Sequence, residues 1–162
     1  MSPGVDALVT AARTTLLDVD EWLAVLRIGL GLWWLESWRH KNKEAWFARG
    51  SGIAWAKSVA DEHRWGFVRT GFNRVVAPRP KPMSYVVVFG ELAIGLGLAL
   101  GFLTPIAAAA GLVLNVLYFV LMIHDWAEQG QNLMMLLSEV VIIGTHAWQV
   151  WSIDHALKIF GR

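Results

Sequence analysis

The chain has 162 residues, a formal net charge of +1 and no cysteine, and its 56% hydrophobic content goes with a mean hydropathy of +0.45. That length fits one domain, the apolar composition excludes an ordinary soluble protein, and the near-neutral charge gives no footing for nucleic-acid binding. Without thiols there can be no disulfide, no thiol nucleophile and no thiolate-held metal or iron–sulfur centre, so any redox chemistry needs a bound cofactor or a partner subunit.

Residues 1–21 carry Arg13 against Asp6, Asp18, Asp20 and Glu21. That balance is unlike a cleavable leader, and the first apolar segment is expected to stay in the mature protein. Residues 8–17 are mildly amphipathic and predict a short helix on the membrane surface, with Asp18 or Asp20 placed to cap the next helix. The first long helix is expected over 21–38, ending at the basic group Arg39, His40, Lys41 and Lys43. Within it Arg27 and Glu36 lie nine residues apart, on opposite faces, and cannot pair.

Residues 44–82 mix basic side chains with Trp46, Phe47, Trp55, Trp65, Phe67 and Phe72. Such mixing suits amphipathic helices in the headgroup layer. Pro78, Pro80 and Pro82 predict an extended exit from it. The runs 84–102 and 106–123 come next, each long enough to cross ~30 Å of hydrocarbon as a helix, joined by the turn from Gly101 to Pro105. Small residues repeat every fourth position, Ala93, Gly97 and Gly101 on one run and Ala107, Gly111 and Asn115 on the next, as helices that pack closely require. A fourth helix is expected over 132–151, with Asn132, Glu139 and His146 on one face at intervals of seven. The expectation is an all-α membrane protein, a single domain over 1–162 built as a four-transmembrane-helix antiparallel bundle with an amphipathic interfacial connection between helices one and two.

Counting along antiparallel spans places Glu36, Glu91, Asn115 and Glu139 in the half nearest the long connection, and Arg27 with His146 in the other. An ionisable group facing lipid is costly, so these side chains are expected to point inward. One reading is that they tie helices together, at roughly 1 kcal/mol per contact. The other is that buried carboxylates carry protons or bind a quinone head group. For Glu91 the second is preferred, because three carboxylates exceed what one nearby cation can neutralise. Glu91 and Glu139 are the catalytic candidates; Arg27, Glu36, Asn115, His146 and Trp34 are candidates for contact with a cofactor head group. His40, His63, His124 and His155 fall at or outside the interface, so no histidine pair is expected to hold haem, and no metal site is expected.

Certain of these residues also carry a resemblance. Gly90-Glu91-Leu92-Ala93-Ile94-Gly95, with Leu100-Gly101-Phe102-Leu103-Thr104-Pro105 after it, resembles the second-helix signature of the DoxX/DoxD family. Trp34-Leu35-Glu36 with Trp38 and Lys41 is similar to the end of that family's first helix, although Ser37 stands where a glycine is usual, and Ser152-Ile153-Asp154 resembles its C-terminal motif. The likeness is nearest to the DoxD branch, the membrane subunit of thiosulfate:quinone oxidoreductase. It implies an integral membrane subunit of a quinone-linked respiratory or redox complex, with quinone as cofactor and with the lipid bilayer and other membrane subunits as partners. The alternatives are a non-catalytic accessory subunit docked on a larger membrane complex and a small-solute carrier. Ten Arg and Lys between Arg39 and Lys81, against Arg13 on the N-terminal side and Lys158 and Arg162 at the end, place the connection 39–82 on the cytoplasmic side of a prokaryotic-type cell membrane.

Overall fold

The computed structural model describes residues 17–160, and all the regular structure among them is helical. The surface helix expected over 8–17 lies outside the described residues save for Leu17. Asp18 opens the first helix, accepting from the Glu21 N–H at 2.9 Å while the Glu21 carboxylate accepts from the Asp18 N–H at 3.0 Å. This capping box sets α1 at Val19–His40.

The connection expected at the interface is three short helices. Asn42 caps α2, Lys43–Arg49; left-handed Gly50, φ +65°, turns the chain into α3, Ser51–Asp61; and α4 spans Gly66–Val75. The extended exit expected at the prolines shrinks to Arg79, φ −128° and ψ 56°, because Pro80 and Pro82 form the first turn of α5, Pro80–Leu100. A proline costs nothing there, since first-turn N–H groups have no intrahelical acceptor. Gly101, φ +66°, and Leu103, φ +50°, make the turn into α6, Thr104–Leu121. The last long helix, α7, runs Trp126–Thr145 rather than 132–151. It starts early because Asp125 accepts from the N–H groups of Ala127 and Glu128, at 3.0 and 3.2 Å. It stops at Thr145 because His146 turns left-handed, φ +55°. A single turn, α8, Ile153–Ala156, completes the described chain.

The four long helices pack in a ring: α1 on α5, α5 on α6, α6 on α7 and α7 on α1, while α2 and α3 lie against α5 and α4 against α3. Bonds from Arg27, near the start of α1, to Leu98 at the end of α5 and to Ala147 just past α7 show that neighbours run antiparallel. Glycines set the closest approach. A Cβ on Gly31 would overlap the Ala99 backbone, and one on Gly95 would lie 2.8 Å from Leu35. The expected stripe on α5 is only partly its packing face: Gly97 meets Ala107, but Ala93 is exposed.

An apolar core centred on Leu30, Trp34, Ile94, Leu98 and Ile142 also encloses charged and amide groups. Arg27, Glu91, Asn115 and Glu139 are inaccessible, while Leu32, Trp33, Val86, Val113, Leu117 and Met134 are more than half exposed. Two helices, α5 and α6, are long and apolar enough to cross a bilayer. The other two expected crossings, α1 and α7, have the length, 22 and 20 residues, but are less apolar throughout.

Gly31→Val should lower the stability of the detergent-solubilised protein by about 1–3 kcal/mol through overpacking. Gly29→Ala, with nothing within 4 Å of the added carbon, should leave it unchanged or raise it by up to about 1 kcal/mol; thermal unfolding monitored by circular dichroism compares them. Asp61 accepts from Lys57 and, at 2.8 Å, from Asn73, joining α3 to α4. The Lys57 bond, with Asn73 behind it, holds the Asp61 carboxyl below its ordinary range. A depressed folded-state value stabilises above the unfolded value and is lost as pH falls through the folded one. Amide protection factors across residues 57–75, taken relative to the intrinsic exchange rate at each pH, should therefore fall on acidification below about pH 4, a response Asp61→Asn should abolish.

Candidate functional site

Glu139 projects from α7 into the ring of helices. Its Oε1 accepts from the Trp34 indole N–H at 3.2 Å and from the Asn115 amide at 2.9 Å, and the same amide reaches Oε2 at 3.0 Å. Gly111 makes room for it on α6, where a side chain would overlap the carboxylate. All of its partners are neutral. The Asn115 Oδ1, fully enclosed, has no hydrogen-bond donor, and such an orphaned acceptor costs about 1–3 kcal/mol.

Glu91 is buried to the same degree but answered differently. Its Oε2 lies 2.5 Å from the Lys41 ammonium, and its Oε1 accepts from the Tyr118 hydroxyl at 2.9 Å. Lys41 is the residue that ends α1. Its stem turns back along the helix, past the Ser37 hydroxyl at 3.3 Å; the side chain as a whole is 15% exposed, and the ammonium sits 5.4 Å from the centre of the Trp46 ring. Tyr118 and Asn115 are three residues apart on α6, so one helix face serves both carboxylates. Neither Lys41 nor Tyr118 is among the candidates drawn from the sequence. A lysine in a basic run beyond a helix end reads as interfacial, and the pairing spans 50 residues of sequence.

Arg27 is no counter-charge to the carboxylates. Its guanidinium donates to four backbone carbonyls: Ala147 at 2.9 Å, Leu98 at 2.6 Å, Val150 at 3.3 Å and Trp151 at 2.7 Å. Beside it Asp154 accepts from the N–H groups of Leu103 and Thr104, at 2.8 and 2.7 Å, and so caps the start of α6. Two candidates fall outside this interior. Glu36 is exposed and held by Arg39, with contacts at 2.6 and 2.7 Å, because a basic residue three positions on lies on its own helix face. His146 is exposed because α7 has already ended, so the seven-residue spacing no longer aligns it with Glu139; its ring meets Trp148 edge-on at 4.9 Å. Trp34 is 1% exposed and is a donor to Glu139.

Two cavities open on the bundle's surface. One of about 580 Å³ is lined by Asp20, Trp148, Gln149, Asp154, His155 and Lys158. The other, about 330 Å³, lies between α1 and α7 and includes Leu26, Trp33, Gln131 and Met134. Neither Glu91 nor Glu139 lines either of them. Among the described residues no three His, Asp or Glu stand close enough to hold a metal ion.

The model of one protein family, described as DoxX, matches residues 22–125, more than half of the chain. Arg27, Trp34, Lys41, Glu91, Asn115 and Tyr118 lie within the matched span; Glu139 lies beyond it. Comparison with curated proteins and with solved structures gave no match.

Lys41→Met should destabilise the solubilised protein by about 3–5 kcal/mol, because it leaves a buried carboxylate without its cation. Adding Glu91→Gln should recover most of that loss, and denaturation of the two single variants and the double variant measures the coupling. An undiminished penalty in the double variant would show that Lys41 acts through something other than Glu91.

Proposed function

The chain belongs to the DoxX family, whose members are membrane-associated, and on that premise we propose that it is an integral membrane subunit of a quinone-linked redox complex, with Glu91 as its proton-handling group. In this reading α1, α5, α6 and α7 all cross the bilayer. The exposed Trp22, Val25, Leu26 and Leu32 of α1, and Leu133, Met134, Leu137 and Val140 of α7, support that placement, since outward apolar faces are what lipid solvates. The resemblance of the motifs around Glu91 to the DoxD branch is the ground for taking quinone as the cofactor.

The observation that carries the proposal is the Lys41–Glu91–Tyr118 cluster. An acid within an apolar span is joined there to a cation that still reaches the surface. A quinone, when bound, supplies two-electron and two-proton redox chemistry. Its head group would meet this chain at the exposed edge of Lys41, beside Trp46. Of the residues here Lys41, part exposed, is the donor that would suit a carbonyl oxygen, while the Tyr118 hydroxyl is committed to Glu91 and Asn115 Oδ1 is enclosed. Glu91 would take up or release the proton at Oε2. Lys41 would keep the carboxylate compensated while it is charged, and Tyr118 would hold its orientation through Oε1. Electrons would come from a partner subunit.

A second reading is favoured by a specific observation. Every oxygen of Glu91 and Glu139 is already bonded to a protein donor, as a purely structural interior would have it. The chain would then be an accessory subunit whose apolar faces dock on larger partners. Glu91→Gln separates the two. The proposal expects quinone-dependent turnover of the purified complex to fall about a hundredfold with assembly intact. Loss of assembly, with normal specific activity in whatever complex remains, would instead establish the accessory role.

A further inference from the structure

Between Arg39 and Lys81 ten basic residues face only Glu44, Asp61 and Glu62. Three of the ten are already spoken for, Arg39 by Glu36, Lys41 by Glu91 and Lys57 by Asp61. Arg49, Arg64, Arg74, Arg79 and Lys81 make no side-chain hydrogen bond or ion pair with another described residue.

The helix that carries the middle of this charge, α4, has no buried residue. Phe67 is 71% exposed and stacks on Trp65 at 5.6 Å between ring centres, and the Arg64 guanidinium lies 5.1 Å over the Trp65 ring. Arg74 comes seven residues after Phe67 and so shares its outward face. An exposed aromatic stack edged by unpaired guanidinium groups is poorly suited to bulk water. It suits the boundary where hydrocarbon gives way to phosphate.

The height of this stack is fixed. His63, fully buried, has one ring nitrogen 2.9 Å from the Val120 carbonyl, in the last turn of α6, while its other ring nitrogen accepts from the Trp65 N–H at 3.1 Å. Arg69 donates to the His63 carbonyl at 2.5 Å. The start of α4 is thus pinned level with the end of a helix apolar enough to cross the membrane.

We propose that Arg64, Trp65, Phe67 and Arg74 form a docking surface for the head groups of anionic phospholipids in the surrounding leaflet. The rings enter at the level of the acyl–glycerol boundary, and the guanidinium groups take the lipid phosphates. A nucleic acid is the poorer partner, because Phe67 and Val75 extend the same exposed surface as bare hydrocarbon. The proposal rests on reading α5 and α6 as membrane spans and is independent of quinone chemistry.

The absence of cysteine allows a clean test. The full chain carrying Thr70→Cys, an exposed position on α4, is labelled with a fluorophore and reconstituted in nanodiscs. The discs contain equal small fractions of either spin-labelled phosphatidylglycerol or spin-labelled phosphatidylcholine. Phosphatidylglycerol should quench about threefold more strongly at low salt, with the preference fading at about 0.5 M salt. Arg64→Gln with Arg74→Gln should bring the two lipids level without reducing quenching by phosphatidylcholine, whereas Lys at both positions should restore the preference. Equal quenching in the unaltered surface, or a preference that survives the double substitution, overturns the proposal. Competition by millimolar glycerol phosphate would assign the site to free phosphate and overturn it too. Absence of quenching by both lipids would put α4 away from the bilayer, a failure of the membrane placement that turnover of Glu91→Gln does not register.

Discussion

A charge carried into an apolar bundle has to find its partners within the chain, and the guanidinium of Arg27 does so by gathering carbonyls that the ends of the helices leave free. Leu98 lies in the last turn of α5, and Ala147, Val150 and Trp151 come after the end of α7. These groups have no intrahelical donor. Asp154 does the reciprocal work at the adjoining start of α6, where amide N–H groups need an acceptor. One cation and one anion thereby close one end of the bundle and fix the relative heights of α1, α5, α6 and α7. The heights at which Glu91 and Glu139 sit depend on that closure.

The two interior carboxylates are alike in burial and unlike in company. Glu91 has the Lys41 ammonium within contact and a hydroxyl on its other oxygen. Glu139 has only an indole N–H and an amide, and the amide's own oxygen is left without a donor. Replacing either member of the first pair uncovers a charge. Changing the second disturbs a neutral net of hydrogen bonds. Their common neighbour is α6, which offers Asn115 to one and Tyr118 to the other, so a displacement of that helix acts on both.

Much of this interior is readable from the sequence for a simple reason: polar side chains inside long apolar runs have nowhere to go but inward, and Arg27, Glu91, Asn115 and Glu139 all do. Pairing is harder to read. Arg27 and Asp154 satisfy backbone groups whose positions depend on where helices stop, and hydropathy alone misplaces those stops by up to six residues, as where Asp125 starts α7 early. The same shift removes His146 from the face it is expected to share with Glu139. Glu36 does not need the interior at all, because Arg39, one turn on, neutralises it at the surface without any help from the fold. Lys41 is easily passed over because a lysine's long stem lets a residue outside a helix act well inside it. The family likeness is carried by short strings around Glu91 and Asp154, which the structure shows to be a charge pair and a helix cap.

The reach of Arg27 also bears on the order in which the protein is made. Its acceptors lie 71 to 124 residues further along the chain, so α1 leaves the ribosome long before any of them exists. Until α7 and the segment after it have been synthesised, the guanidinium lacks three of its four acceptors, so α1 can take up its final contacts only after the last long helix has been made.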